Sequence, residues 1–422
     1  MKLLIKSAKI IDINSKFNET TQDILIVDGI IKKISENINE KSDIKYTSPN
    51  LHVSIGWMDS HSNFREPGYE HKDDINSGTR SAIKGGFTSV MLMPKTKPIV
   101  DNKSIIEFIK NKSKNSILDI HVSSAVSKNM EGKDLVEMHD INSVGCRVFT
   151  DDKNSIENNE LLKLALLYSK DFNGTIMNFP NDRILSKNGT MNEGKNSTYL
   201  GLKGIPNVSE EIMLDRDISL AKYTKGNLHC SYISTKESVK KIRKSKKEGL
   251  NLTADVSINN LIMTDDMVKN YDSNYKVLPP LRSENDIISL IKAIKDGTID
   301  VISSDHSPEN SDNKIIDFDN AKFGVIGLES FFGLACNKLL KHIDLSIIIE
   351  KISSNPRRIF LNQYLKINEG EKANLTLFNP NIEWKFNKKD VKSKSNNTPF
   401  IGKKLLGKAL AICNNNKFQI ID

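Results

Sequence analysis

The sequence predicts an α/β protein built on a closed, TIM-type (β/α)8 barrel, with a small β-sandwich domain assembled from the two ends of the chain. From Ser54 onward, apolar strand-like runs alternate with amphipathic helical stretches, the pattern of a parallel sheet whose crossovers are helices. Both ends read instead as short strands joined by polar turns. A length of 422 residues with 38% apolar content is enough to bury one large core or two unequal ones. The predicted units are residues 1–53 and 365–422, which share the small β domain, and residues 54–364, which form the barrel.

Taken in order, LLIKSAKIID and DILIVDGIIKKI are the first strands, and Asp28-Gly29 supplies a hairpin signal inside the second. The barrel strands are expected in FTSVMLMP, LDIHVSSAV, GCRVFTDD, GTIMNFP, GNLHCSYIS, LNLTADVS and IDVISSDH. About eight such strands over about 300 residues suit a closed barrel. A doubly wound open sheet is the alternative, but no Gly-rich phosphate loop follows the first strand. After about Leu365 the short strands ANLTLFNP and KALAICNNNKFQII return and are expected to pair with those of the N-terminus.

Composition narrows the function classes. The net charge of +8 is spread along the whole chain with few aromatics among the lysines, which argues against a nucleic-acid role; the abundance of Lys, Asn and Ile reads as genome bias. No run approaches the roughly 18 apolar residues of a membrane span. Lys6, Lys9 and Asp12 interrupt the apolar residues of the N-terminus, unlike a secretory signal, so a cytoplasmic location is expected. Cys146, Cys230, Cys336 and Cys413 lack CxxC spacing and are expected as reduced, buried thiols.

In a barrel the chemistry sits where strands give way to βα loops. Four such places are rich in polar residues: Gly56 to Gly68, Phe149 to Asp152, Leu228 to Thr235, and Ser303 to Pro308. The stretch from Asp59 to Gly68 resembles the signature of the dihydroorotase family, a His-x-His pair followed by Phe-Arg-Glu-Pro-Gly. Met93-Pro94, Gly201 to Pro206, Pro279 to Arg282, Gly327 to Glu329 and Ser395 to Phe400 match further family segments in the same order, over nearly the whole chain. The resemblance implies an amidohydrolase barrel in which histidines and carboxylates hold one or two zinc ions, and metal-bound hydroxide opens a cyclic amide of pyrimidine biosynthesis.

Carried over residue by residue, the resemblance assigns His61 to the first histidine, Asp151 to the acidic bridging position, and Asp305 to the last ligand and catalytic proton shuttle. Arg65 falls on the arginine that grips the substrate carboxylate, and Lys95 on a neighbouring substrate-binding position where the family has asparagine. The pattern breaks at Asn63, Phe179 and Tyr232, each of which stands where a ligand histidine is expected. Leu278 and Glu309 depart from the pattern in the substrate pocket. His229 stands three residues before Tyr232, an offset that would aim it at the opposite face of a strand, and His306 follows Asp305 directly, so both read as structural histidines. Arg65 beside Glu66 reads equally as an ion pair holding the first loop, and Asp152-Lys153 as solvated loop residues.

Two readings follow. In the first, the chain is a non-catalytic homologue that holds no metal and serves as a scaffold for aspartate transcarbamoylase, the partner of known inactive dihydroorotase-like chains. In the second, it is a working cyclic amidohydrolase with a reduced site, in which His61, Asp151 and Asp305 weakly hold one divalent ion such as Mn or Mg. A small anionic ligand and a homo-oligomer are compatible with both.

Overall fold

The computed structural model describes residues 1–422. Strands β1 (Lys2–Ile11), β2 (Thr21–Val27), β3 (Ile30–Ser35), β4 (Ile44–Tyr46) and β5 (His52–Ile55) open the chain. The turn between β2 and β3 is made by Asp28 and Gly29, both with positive φ, as a tight hairpin requires. Eight parallel strands follow: β6 (Trp57–Ser62), β7 (Phe87–Leu92), β8 (Asp119–Val122), β9 (Val148–Thr150), β10 (Thr175–Asn178), β13 (Leu228–Cys230), β14 (Leu252–Ser257) and β15 (Val301–Ser303). Between β10 and β13 a loop carries a two-stranded pair, β11 (Met191–Asn192) and β12 (Gly204–Ile205). The chain ends with β16 (Leu375–Lys385), β17 (Lys404–Asn414) and β18 (Lys417–Ile420).

The parallel strands form one run of three, β6-β7-β8, and one of five, β9-β10-β13-β14-β15. Bridges between Ser124 and Phe149 and between Ser62 and His306 join the two runs at both edges, and the barrel closes. Helices such as Ile75–Lys84, Asn207–Thr224 and Glu284–Lys295 cover its outside, and a core of 71 buried residues lies in this shell. A smaller cluster, comprising Met58, Met91, Met93, Val148, Met177, Val301 and Phe360, packs together with residues from five of the barrel strands.

The ends of the chain meet as expected. In the eight-stranded terminal sheet, β5 pairs antiparallel with β16, with Ile55 opposite Leu375 and Val53 opposite Leu377, and the order runs β18-β17-β16-β5-β1-β2-β3 with β4 beside β1. Its separate core of 17 buried residues draws on both termini. Arg357, 1% exposed, locks this sheet to the barrel: its guanidinium donates to Gly56 O, Thr88 Oγ1 and Asn374 Oδ1. Gly56 admits this close approach because a Cβ there would lie 2.1 Å from both Asn374 Oδ1 and Thr88 Oγ1. No helix is long and apolar enough to cross a membrane.

Candidate active site at the carboxyl ends of the strands

His61 lies near the end of β6, 1% exposed, and its Nε2 is 2.6 Å from Asp255 Oδ2 in β14. The same carboxylate oxygen is 2.7 Å from Nε2 of His229 in β13, whose Nδ1 is 2.8 Å from Thr253 Oγ1. Asp255 Oδ1 accepts the Tyr232 backbone N–H at 3.1 Å. One buried carboxylate therefore bridges two imidazoles, and these three are the group of potential ligand atoms lying within 4.8 Å of one another. Burial would raise the Asp255 pKa, but His61 and His229 hold it far below the usual carboxylate range. Burial likewise works to lower the pKa of His61; Asp255, with Asp59 and Asp152 behind it, more than offsets this and leaves it raised.

The expectation that His229 faces away from the site fails, for a local reason. β13 stops at Cys230, and Tyr232 takes a left-handed backbone with φ 57°, so the alternation of a strand does not extend from His229 to Tyr232. Both reach the same centre: His229 through Asp255, and Tyr232 by stacking on His61 with ring centroids 4.3 Å apart. Phe179 meets the Tyr232 ring edge-on at 6.0 Å. The Tyr232 hydroxyl is buried without a hydrogen-bond partner, and burial, then Asp305 and Asp152, push its pKa well above the ordinary value.

Asp305 sits just past β15 with φ 53° and 1% exposure. Its Oδ1 accepts from the Lys153 ammonium at 2.6 Å, and that ammonium also lies over the Tyr232 ring, 4.8 Å from its centroid. Lys153 is thus not a solvated loop residue: its side chain is 11% exposed and points into the barrel mouth. Burial raises the Asp305 pKa, Lys153 opposes it, Asp152 adds to it, and the net result is about 6.

Asp151 and Asp152 exchange the positions expected of them. Asp151 Oδ1 accepts from the Val126 and Ser127 backbone amides at 2.8 and 3.1 Å, and Oδ2 accepts from the Ser127 hydroxyl, so its carboxylate is spent on fixing the loop after β8. Asp152, turned by a φ of 50°, has a buried Oδ1 with no partner and acts electrostatically on His61, Asp305, Tyr232 and Lys95. His61, Asp151 and Asp305 are therefore not brought together as one ligand set.

At the rim, Arg65 Nε donates to Pro308 O at 3.1 Å, and Nη2 lies 3.4 Å from Glu309 Oε1. Its carboxylate partner is thus Glu309, not Glu66, which pairs with Lys112 and accepts the Ile75 N–H. Glu309 also takes Lys72, 2.8 Å from Oε2, and the Asn313 amide. Lys95 is exposed to solvent; desolvation lowers its pKa, Asp152 and Glu309 oppose this, and Arg65 and Lys153 reinforce it. His306 is structural: its Nε2 is 3.4 Å from Asp73 Oδ2 and its Nδ1 accepts the Gly327 N–H. Asn63, buried, donates its backbone N–H to His306 O at 2.9 Å.

Comparison with known proteins agrees with this architecture. Residues 52–238 match the model of the family described as Dihydro-orotase-like. The dihydroorotase of Ruminiclostridium cellulolyticum is 40% identical over 410 residues, covering 96% of each chain. That of Acetivibrio thermocellus is 38% identical over 409 residues, again covering 96% of each. Among solved structures, the L-hydantoinase (dihydropyrimidinase) of Arthrobacter aurescens superposes with a TM-score of 0.87 at 19% identity over 99% of this chain and 95% of its own, a likeness of fold. The dihydropyrimidinase of Brevibacillus agri gives 0.84 at 19% identity over 100% of this chain and 95% of its own. With near-complete relatives at this level of identity, the chain belongs to the dihydroorotase family.

Proposed function

We propose that this chain is a dihydroorotase-family protein of pyrimidine biosynthesis that does not run the family's metal-dependent hydrolysis, and that its retained barrel serves as an assembly scaffold for aspartate transcarbamoylase. The observation that carries the first part is the Lys153 ammonium, held 2.6 Å from Asp305. It places a fixed positive charge against the carboxylate that the family pattern gives to metal and proton transfer. The residues present do not fit zinc. Phe179 offers no donor, an Asn63 amide is a weak ligand, and the buried Tyr232 phenol keeps its proton. His61 and His229 lie 2.6 and 2.7 Å from a single oxygen of Asp255. Those are hydrogen-bond distances, so one carboxylate oxygen is the shared partner of both rings.

The scaffold role is supported by the contrast between the centre and its frame. Asn397 accepts the Glu309 N–H and donates to Ser307 O, and Arg282 donates to Asn192 Oδ1, Ile205 O and Asn207 Oδ1, so these loops stay tied to one another by hydrogen bonds. A frame kept in place around an altered centre is compatible with a binding role.

A second reading has one observation in its favour: His61, His229 and Asp255 converge, and three protein ligands is the number a catalytic metal commonly uses. That set would replace the grouping of His61, Asp151 and Asp305. The test is elemental analysis of the purified protein together with dihydroorotate hydrolysis in added Zn or Mn, for the wild type and for N63H/F179H/Y232H/K153A. The proposal expects no stoichiometric metal and no turnover in the wild type, and co-elution with aspartate transcarbamoylase from the same cell on size-exclusion chromatography. Stoichiometric metal with turnover in the wild type overturns the first part, and separate elution of the two proteins overturns the second.

A further inference from the structure

The opposite end of the barrel, where the strands begin, holds a second arrangement unrelated to the hydrolase constellation. A cavity of about 140 Å³ opens there, bordered by Lys110, His121, Arg147 and Gln363 with Met91 and Phe360 as its apolar wall. No acidic residue borders it. Lys110 donates to Val144 O and Arg147 to Asn173 O, so each cation has a backbone carbonyl as its hydrogen-bond partner and neither is ion-paired. Arg357, buried nearby, likewise donates only to neutral oxygens. Asp119, the carboxylate that acts on His121, is already held by the Asn414 and Asn415 amides at 3.0 and 2.9 Å. The His121 ring has a buried Nε2 with no partner at all. Burial, then Arg357 and Lys110, lower its pKa to about 4, so at neutral pH it is an uncharged imidazole with one N–H to donate.

A concave site lined by cations without counter-charge focuses positive potential, and guanidinium and ammonium donors suit tetrahedral oxyanions. Each water takes roughly 30 Å³ of liquid volume, so the cavity holds several waters, space for a phosphoryl group. We propose that this cavity is a binding site for a phosphoryl dianion, either inorganic phosphate or a phosphate monoester, held by Lys110 and Arg147 with His121 and Gln363 donating to its remaining oxygens. The site stands whether or not the upper centre hydrolyses anything. It also touches that centre, because Phe360 packs edge-on against His229 with centroids 4.8 Å apart.

The test is isothermal titration of the full chain with inorganic phosphate and with phenyl phosphate at constant ionic strength in chloride buffer, for the wild type and for K110M/R147Q. The expected result is saturable one-to-one binding that weakens at least about tenfold in the double variant, since each charged donor lost from an anion site is worth about that factor. Tighter binding of phenyl phosphate would identify a monoester as the ligand; equal or weaker binding would identify free phosphate. No saturable binding of either probe, or binding unchanged in the variant, overturns the proposal. A tungstate soak of wild-type crystals decides the matter without a variant: anomalous density between Lys110 and Arg147 is required, and its absence sinks the site.

Discussion

Replacing Lys153 with Met should destabilise the protein by an amount that depends on pH. Asp305 is 1% exposed and its folded pKa is about 6, against 3.8 for the free side chain. Because the folded value lies above the unfolded one, the native state holds this proton more tightly. The associated stability is fully present below about pH 4 and is lost as pH rises through about 6, a difference of roughly 3 kcal/mol. Above that pH the wild type tolerates the buried carboxylate because Lys153 faces it at 2.6 Å. In K153M the folded pKa of Asp305 must climb further, since the group that opposes burial is gone. At pH 5 Asp305 is mostly protonated in both proteins, and the substitution should cost about 1 kcal/mol or less. At pH 8 the variant must either bury a bare carboxylate or take up a proton against the solution, and the cost should reach roughly 3–5 kcal/mol, as for other broken buried pairs. Urea unfolding followed by tryptophan fluorescence, to which the fully buried Trp57 and the partly buried Trp384 both contribute, measures both values. A destabilisation equal at pH 5 and pH 8 would refute the argument, because it would mean that the lysine contributes packing and not charge. The double variant K153M/D305N should then recover most of the loss at pH 8.

Three further expectations follow from the same geometry. Asp255→Asn should cost roughly 3–5 kcal/mol at pH 7, because it removes the buried negative charge that the two imidazoles share; since the folded pKa of Asp255 is depressed, this contribution exists above its unfolded value and fades as pH falls below about 4, so thermal unfolding of the two proteins should converge in acid. Arg357→Met should destabilise by about 3 kcal/mol or more and raise amide exchange near Gly56 and Thr88, where the guanidinium ties the terminal sheet to the barrel; unchanged exchange there would show that the joint holds without it. The four cysteines should resist Ellman's reagent at pH 8 in the native protein and all react in urea, since each thiol is buried and burial pushes Cys146 up to about 11, against nearby backbone amides and Lys110, and Cys413 up to about 12; rapid native labelling of any one would contradict its position.

What the sequence determined by itself was the architecture and the family. Alternation of apolar runs and helical stretches is a local property that survives any tertiary detail, so the eight parallel strands and the pairing of the two termini are legible in the sequence. The family motifs at Asp59 to Gly68 and Ser395 to Phe400 identified the strand ends where polar residues gather, and the replacements at Asn63, Phe179 and Tyr232 were visible as departures from them. Which groups face one another at those ends was not legible. Reading His229 against Tyr232 by strand alternation fails because the strand stops between them and Tyr232 turns left-handed. Asp151 and Asp152 are adjacent and chemically identical, and only the backbone at Asp152 decides that the first fixes a loop while the second faces the centre. Lys153 looked like a loop charge because nothing local marks its partner, Asp305, which lies 152 residues away. Asp255 belonged to no motif, yet it holds both histidines. Periodicity and motifs are written in neighbouring residues, whereas the pairing of buried charges is set by strand register and barrel closure, which bring distant residues together only once the chain has folded.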